Sequence, residues 1–287
     1  MGRLFSYDEI KTGRIPTPET FNHVKCVFQE SIQEGIINGT IDGGLIYGSV
    51  AVDKQSCRSD FDSIIILRNN DLEARMAGMA VSQIIRQETD NLIPIDIATR
   101  TKKALAEGWH DIDRFFGQHL ASEDRIVYGN DIATYIKHHH NNISAKDILS
   151  DYLIHKSRRF DTAYRISNPL DISEGGLQRM LELPRAIGQR VLQTIIEIEH
   201  SNQQVRTVDQ RLVLKKSQEI FTEYDLDEGF NTLAEKNKEY NELLSKTIQG
   251  KIGQKAYENF ILELHATLPC ALNWIDQIQE KLMPDLD

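Results

Sequence analysis

The segment SDFDSIIIL, residues 59–67, constrains the fold of this chain more than any other. Its apolar part predicts a short buried strand, yet Asp60 and Asp62 stand at the entrance. Alternate residues of a strand face the same side, so both carboxylates project together while Phe61 points toward a core. Two carboxylates about 4 Å apart repel by roughly 4 kcal/mol at an effective dielectric near 20, which a cation would offset. The pair therefore predicts a site for Mg²⁺, or alternatively Mn²⁺, bound jointly with phosphate oxygens.

A Gly-Ser pair precedes the aspartates along the chain. The apolar run LIYG predicts a strand that ends at Gly48-Ser49, and ten residues separate this pair from Asp60. Such a turn can direct backbone N–H groups and the serine hydroxyl toward an anion. We expect a phosphate to lie between this turn and the metal. The segment contains neither a P-loop GxxxxGK[ST] nor a Rossmann GxGxxG pattern.

A third carboxylate, Asp96, stands in the short apolar strand IPIDIA, where an unpaired charge would be costly. If this strand pairs beside residues 61–67, Asp96 approaches Asp60 and Asp62. It could then share a metal ion and take the proton from an attacking hydroxyl.

The pattern along the chain indicates two domains. Helices, including 19–36 after an N-cap at Thr17 and 71–88, mix with strands across residues 1–132. Residues 133–287 show helical spacing only, beginning with a helix from Ser144 to about residue 166. The polar stretch KHHHNN, residues 137–142, forms the expected seam. The fold class is therefore α+β: a small mixed sheet flanked by helices, followed by an all-α helical bundle domain.

Charge, cysteine usage and hydropathy limit the function classes. The net charge of −10 argues against a general nucleic-acid binder, although a local basic patch is compatible with it. No apolar run approaches the roughly 18 to 20 residues of a membrane span. Three scattered cysteines without a CxxC pair indicate neither a disulfide framework nor a zinc site. We expect a cytoplasmic protein without a membrane partner.

The Gly48-Ser49 pair, the DFD motif at 60–62 and the later Asp96 resemble the DNA polymerase beta-type nucleotidyltransferase superfamily. The resemblance covers roughly residues 20–130, and the helical second domain resembles the small-substrate branch, such as aminoglycoside nucleotidyltransferases, and nucleotidyltransferase-type toxins. It implies an enzyme that transfers a nucleoside monophosphate from ATP or another nucleoside triphosphate to an acceptor hydroxyl and releases pyrophosphate. The implied site residues are Asp60, Asp62 and Asp96 for catalysis and for two Mg²⁺ ions, and Gly48, Ser49 and Arg58 for the nucleotide.

The helix segment HKSRRFDTAYR adds two candidates, since Lys156 and Arg159 lie at i and i+3 and share a face. They would reach the triphosphate or a nucleic-acid acceptor; the alternative is a solvated helix face. The acceptor itself stays open between a small antibiotic-like molecule and an RNA end such as that of tRNA, with a protein side chain less favoured. A different class, a non-catalytic nucleotide-sensing or interaction module on the same fold, is the alternative function.

Overall fold

The computed structural model describes residues 3–108, 116–117, 120, 125–136, 143–165, 170, 176–199 and 210–286. The chain forms two compact units: Ile15–Asn142, and Met1–Arg14 together with Ile143–Asp287. The first contains a four-stranded sheet with flanking helices, and the regular elements described in the second are helical. The predicted α+β class with a small mixed sheet is confirmed. None of the described helices is both long and apolar enough to cross a membrane.

Every predicted strand is present in the sheet. The strands are β1 (Ile41–Tyr47), β2 (Phe61–Leu67), β3 (Ile95–Thr101) and β4 (Ile126–Gly129). Their order is β3-β2-β1-β4, with β1 antiparallel to both β2 and β4, and β2 parallel to β3. Pro94 directly precedes β3, an edge strand, where its missing N–H costs no ladder hydrogen bond. Its carbonyl accepts a hydrogen bond from the Phe61 N–H at 2.9 Å, which joins the starts of β2 and β3.

Two helices cover one face of the sheet. Helix α2 (Pro18–Ile37) begins after the predicted N-cap Thr17, and α3 (Leu72–Glu88) begins after the N-cap Asp71, whose side chain accepts from the Ala74 N–H. Helix α3 is the crossover that parallel strands β2 and β3 require. Phe61, between the two aspartates, is fully buried and meets Phe28 of α2 edge-on at 5.5 Å. The prediction that Phe61 points into a core is confirmed.

The opposite face of the sheet carries a smaller apolar cluster, which includes Leu105 of α4 (Lys102–Glu107) and Ile132. Strand residues Leu45, Ile64 and Ile66 form its base. Helix α4 ends at Glu107, where Gly108 adopts a left-handed C-cap, and most of residues 109–124 lie outside the described residues. The polar seam at 137–142 also lies outside them.

The helical unit begins with α1 (Tyr7–Lys11) and resumes at α5 (Ala145–Tyr164), whose N-cap is the predicted Ser144. One helix ends at Leu181 and the next begins at Leu183, so that Pro184 lies in a first turn, where proline is tolerated. The further helices are α6 (Gly176–Leu181), α7 (Leu183–Glu199), α8 (Gln210–Glu223), α9 (Asp227–Ile248), α10 (Gln254–Ala266) and α11 (Leu268–Gln277), followed by a π-helical turn (Ile278–Leu282) and a 3-10 turn (Met283–Leu286).

The core of the helical unit centres on Trp274, which is fully buried on α11. Its indole N–H donates to the Leu226 carbonyl at 2.9 Å, and Phe221 meets its ring edge-on at 5.2 Å. The indole N–H is thus satisfied inside an apolar core, as a buried tryptophan requires.

The N-terminal segment belongs to the helical unit, whereas the sequence pattern predicted one domain over residues 1–132 and another over 133–287. Phe5 is fully buried there, and its N–H donates to the Tyr240 hydroxyl at 3.0 Å. Its carbonyl accepts from the Tyr257 hydroxyl at 2.6 Å. These partners lie more than 230 residues away in the chain, so no local pattern could reveal them.

We expect Tyr257→Phe to lower the free energy of unfolding by about 1–3 kcal/mol, because the buried carbonyl of Phe5 would lose its donor. Thermal unfolding followed by circular dichroism measures the change. Tyr164→Phe is the matched control, since the Tyr164 side chain is half exposed and its hydroxyl has no hydrogen-bond partner among the described residues. Equal unfolding midpoints for the two variants would show that the hydrogen bond from Tyr257 to Phe5 does not stabilise the protein.

Candidate functional site

The register of the sheet brings the key carboxylates side by side. Asp62 is directly opposite Asp96 in the parallel pair of β2 and β3, and opposite Tyr47 in the antiparallel pair of β1 and β2. Directly opposed residues of neighbouring strands have side chains on the same face of a sheet. The expectation that the strand of Asp96 pairs beside β2 is therefore confirmed, and the three side chains form one row across three strands.

Burial decreases across the carboxylates. Asp60, immediately before β2, is only 6% exposed, Asp62 is half-buried and Asp96 is exposed. Burial, followed by the charge of Asp60, raises the pKa of Asp62 from 3.8 to about 7. The charge of Asp96 and a hydrogen bond with Asp60 act in the same direction. Burial and the neighbouring carboxylates therefore both favour the protonated form of Asp62.

The Gly-Ser turn lies against this carboxylate cluster. Residues Gly48–Val50 form a 3-10 turn at the end of β1, and Gly48 has a φ of +73°. A Cβ on Gly48 would stand 2.8 Å from Oδ2 of Asp62, closer than real Cβ contacts. The left-handed backbone favours glycine here, and a larger residue would also have to displace the Asp62 carboxylate. The two halves of the predicted site are thus neighbours in space.

Ser49, the candidate phosphate ligand, is partly exposed in this turn. Its carbonyl accepts a hydrogen bond from the Lys54 N–H at 2.9 Å, which closes the start of the loop that leads to β2. Its hydroxyl has no hydrogen-bond partner within the described part of the chain. The hydroxyl can therefore donate to an anion without breaking an internal bond.

Three further residues were predicted for the site: Arg58, which is close to Asp60 in the chain, and Lys156 and Arg159 of the helical unit. Arg58 is in the turn before β2 and is only 6% exposed, as is Asp60. Lys156 and Arg159 belong to α5 in the helical unit. The structure thus brings together Gly48, Ser49, Asp60, Asp62 and Asp96.

The carboxylate cluster also acts on Tyr47, a residue outside the predicted motif. Tyr47 precedes Gly48, and burial followed by the charges of Asp62, Asp96 and Asp60 raises the pKa of its hydroxyl, while Arg100 lowers it. The Tyr47 ring meets Phe116 edge-on at 5.4 Å. Arg100 lies four residues after Asp96 on β3 and therefore shares its face. The two-residue period of β3 indicates this shared face from sequence, since Arg100 follows Asp96 by an even number of residues.

The carboxylate oxygens of this cluster suit a hard divalent cation whose remaining ligands come from a bound substrate. The described residues contain no group of three or more His, Cys, Asp or Glu side chains placed to hold a metal ion unaided. Mg²⁺, however, typically takes one or two carboxylates and completes its shell with substrate phosphates and water. Asp60 and Asp62 supply such a pair. A bound cation would favour the ionised form of Asp62 and so offset the effects that raise its pKa. Asp96, opposite Asp62, is the candidate third ligand.

No known protein-family model matches this chain, and no curated protein sequence matches it. The chemistry of the site therefore rests on its own side chains and on the resemblance of its motif.

We expect Gly48→Ala to destabilise the protein by about 1–3 kcal/mol more than Gly13→Ala, because a new methyl group would overpack the Asp62 carboxylate. Gly13 is the matched control: its φ is +72°, and a Cβ there would meet nothing within 4 Å. The control measures the cost of the left-handed backbone by itself, about 1–2 kcal/mol. Denaturant unfolding of both variants gives the difference, and similar destabilisation of the two would contradict the close approach of Gly48 to Asp62.

We expect Asp62→Asn to change how stability depends on pH when divalent cations are absent. The folded pKa of about 7 lies above the unfolded value of 3.8, so the native state retains a proton that the unfolded state has released. The contribution of Asp62 therefore falls as pH rises from about 4 to about 7. Thermal midpoints measured at a series of pH values should show that the midpoint of the variant increases relative to that of the wild type as pH rises through this range. A difference that is independent of pH would contradict the raised pKa.

Proposed function

We propose that this protein is a metal-dependent nucleotidyltransferase that moves a nucleoside monophosphate from a nucleoside triphosphate to an acceptor hydroxyl. The observation that carries the proposal is the approach of Gly48 to Asp62, with Asp96 opposite Asp62 in register. A phosphate-binding turn and a set of carboxylates thereby share one end of one sheet. The order of these motifs in the chain, which resembles the nucleotidyltransferase superfamily, supports the same function.

The first task of the site is to hold the triphosphate. The Ser49 hydroxyl and the backbone N–H groups of the turn would donate to phosphate oxygens. Asp60 and Asp62, with Asp96 as a further ligand, would hold Mg²⁺ or Mn²⁺, two ions by the family resemblance. When bound, the metal stabilises negative charge on the attacking and leaving oxygens of an in-line displacement. Ionisation of Asp62 is then favoured by the cation, which reverses the effect of its carboxylate neighbours.

The second task is to activate the acceptor. Asp96 is the most exposed of the three carboxylates and is therefore the one that an incoming hydroxyl can approach from solvent. It would accept the hydroxyl proton as the acceptor oxygen forms its bond to the α-phosphorus. The bond from the α-phosphorus to the bridging oxygen breaks, and pyrophosphate leaves with that electron pair. ATP is the reference donor, and we expect the reaction in the cytoplasm.

We expect Asp62→Asn and Asp96→Asn to lower the rate of transfer by roughly 10²–10³-fold or more, since each removes charge from the reacting centre. The assay incubates the protein with α-³²P-labelled nucleoside triphosphates, Mg²⁺ and cell extract, and measures labelled product and released pyrophosphate. Asp90→Asn is the control, because Asp90 is exposed and its φ of 48° suits asparagine. Sorting the label into small-molecule, RNA and protein fractions identifies the acceptor class.

The same assay separates an enzyme from a nucleotide sensor. An enzyme releases pyrophosphate, and both aspartate variants lose this release while they stay folded. If the wild type labels nothing and releases nothing, yet a nucleoside triphosphate still raises its thermal midpoint, the protein is a non-catalytic nucleotide-binding module. Normal transfer by Asp62→Asn would show that the metal assignment is wrong.

A further inference from the structure

One face of helix α5 carries a concentrated positive charge. Tyr152, His155, Lys156 and Arg159 follow one another at i, i+3, i+4 and i+7, so their side chains share a stripe about 10 Å long. Arg158 lies beside this stripe and is exposed. We call these five residues the α5 basic face. It contrasts with the chain as a whole, whose net charge is −10.

Lys156 is the unusual member of the α5 basic face, since only 9% of it is exposed. Its ammonium nitrogen lies 4.9 Å from the centre of the Tyr152 ring, and the guanidinium carbon of Arg190, on α7, lies 5.2 Å from the same ring. One aromatic ring thus holds two cations of different helices close together. A solvated helix face would leave its lysines exposed, as long charged side chains normally reach water.

The described part of the chain does not neutralise this charge. His155, Lys156, Arg158 and Arg159 form no ion pair with any described residue. Burial, followed by the charges of Arg159 and Arg190, lowers the pKa of Lys156 to about 8. Burial and the cations at 159, 156 and 158 likewise lower the pKa of His155. Within the described residues, no ion pair offsets the repulsion among these α5 cations, and an anion bound there would relieve it.

The charge of the α5 basic face discriminates between the open acceptor classes. A polyamine antibiotic is itself cationic and would be repelled by this face. The triphosphate of the donor is already provided with partners in the other unit, at Gly48-Ser49 and at the carboxylates with their metal. A nucleic-acid strand instead offers successive phosphates that can lie along a stripe of cations.

We propose that the α5 basic face binds the phosphate groups of an RNA strand, and that this RNA is the acceptor of the transferred nucleotide. The acceptor role rests on the proposed nucleotidyltransferase function, whereas RNA binding by the face does not. Lys156 and Arg159, predicted from sequence as nucleotide ligands, would then serve the acceptor. Tyr152 would position Lys156 and Arg190 instead of stacking on a base, because its ring already contacts both cations.

The test measures binding of a fluorescein-labelled single-stranded RNA oligonucleotide to the full chain by fluorescence anisotropy, over a range of salt concentrations. Arg158→Gln/Arg159→Gln should weaken binding roughly tenfold or more. It should also reduce the slope of log K against log salt by about 1.4, that is, about 0.7 for each phosphate that the variant no longer neutralises. The control is Lys215→Gln/Lys216→Gln on α8, which removes the same charge from exposed lysines of the same unit.

A second variant distinguishes binding from a structural role. Lys156→Met keeps the aliphatic stem and removes the buried charge, so we expect it to weaken RNA binding while the thermal midpoint stays equal or rises. A lower midpoint with unchanged RNA affinity would show that Lys156 is a structural residue and would overturn its part in the site.

Other outcomes also decide the proposal. It is overturned if the wild type does not bind RNA, if the control pair weakens binding as much as the arginine pair, or if the arginine pair weakens ATP binding and leaves RNA affinity unchanged.

Asp62→Asn should bind RNA like the wild type, because its site lies in the other unit. RNA binding without any pyrophosphate release would contradict the proposed function and leave the binding site standing. Label found only in the small-molecule or protein fraction would overturn the acceptor role.

Discussion

The burial of neighbouring carboxylates at the end of the sheet is the main constraint that the first unit has to satisfy. Asp62 is held opposite Asp96 by strand pairing and against Gly48 by the turn after β1. Neither neighbour offsets its charge, and burial raises its pKa to about 7. Helices α2 and α3 bury the opposite face of the sheet, so their packing maintains the strand register that keeps these groups together. The stability of the core thus sustains an electrostatic strain that a cation and a phosphate would relieve.

The helical unit contains a second cluster of like charges, which in this case are positive. Lys156 is buried beside Arg159 and Arg190, and Tyr152 holds two of these cations on one ring. An acidic cluster in one unit and a basic cluster in the other would favour ligands of opposite charge. A cation with a triphosphate suits the acidic cluster, and a polyanionic strand suits the basic one. The two proposals are therefore complementary in charge, and each is measurable without the other.

Much of the candidate site followed from local patterns. The two-residue period of a strand predicted that Asp60 and Asp62 share a side while Phe61 enters the core, and caps predicted the starts of α2 and α5. Other members were not visible in this way. Tyr47 lies beside the carboxylate cluster through cross-strand register, which depends on how strands pair. Arg58 matched the motif, yet folding buries it, and the spacing of residues does not determine exposure.

The sequence by itself determined the strands, most helices, the α+β class and the set of carboxylates with the Gly-Ser turn, because these depend on periodicity and on residue chemistry within short segments. Only the tertiary structure decided which strands are neighbours, that Gly48 touches Asp62, and that Arg190 joins Lys156 on Tyr152. It also decided that the N-terminal segment packs with helices α9 and α10, where Phe5 finds its hydrogen-bond partners. The physical reason is the same in each case: these interactions join segments far apart in the chain, and their energies exist only once the core has formed.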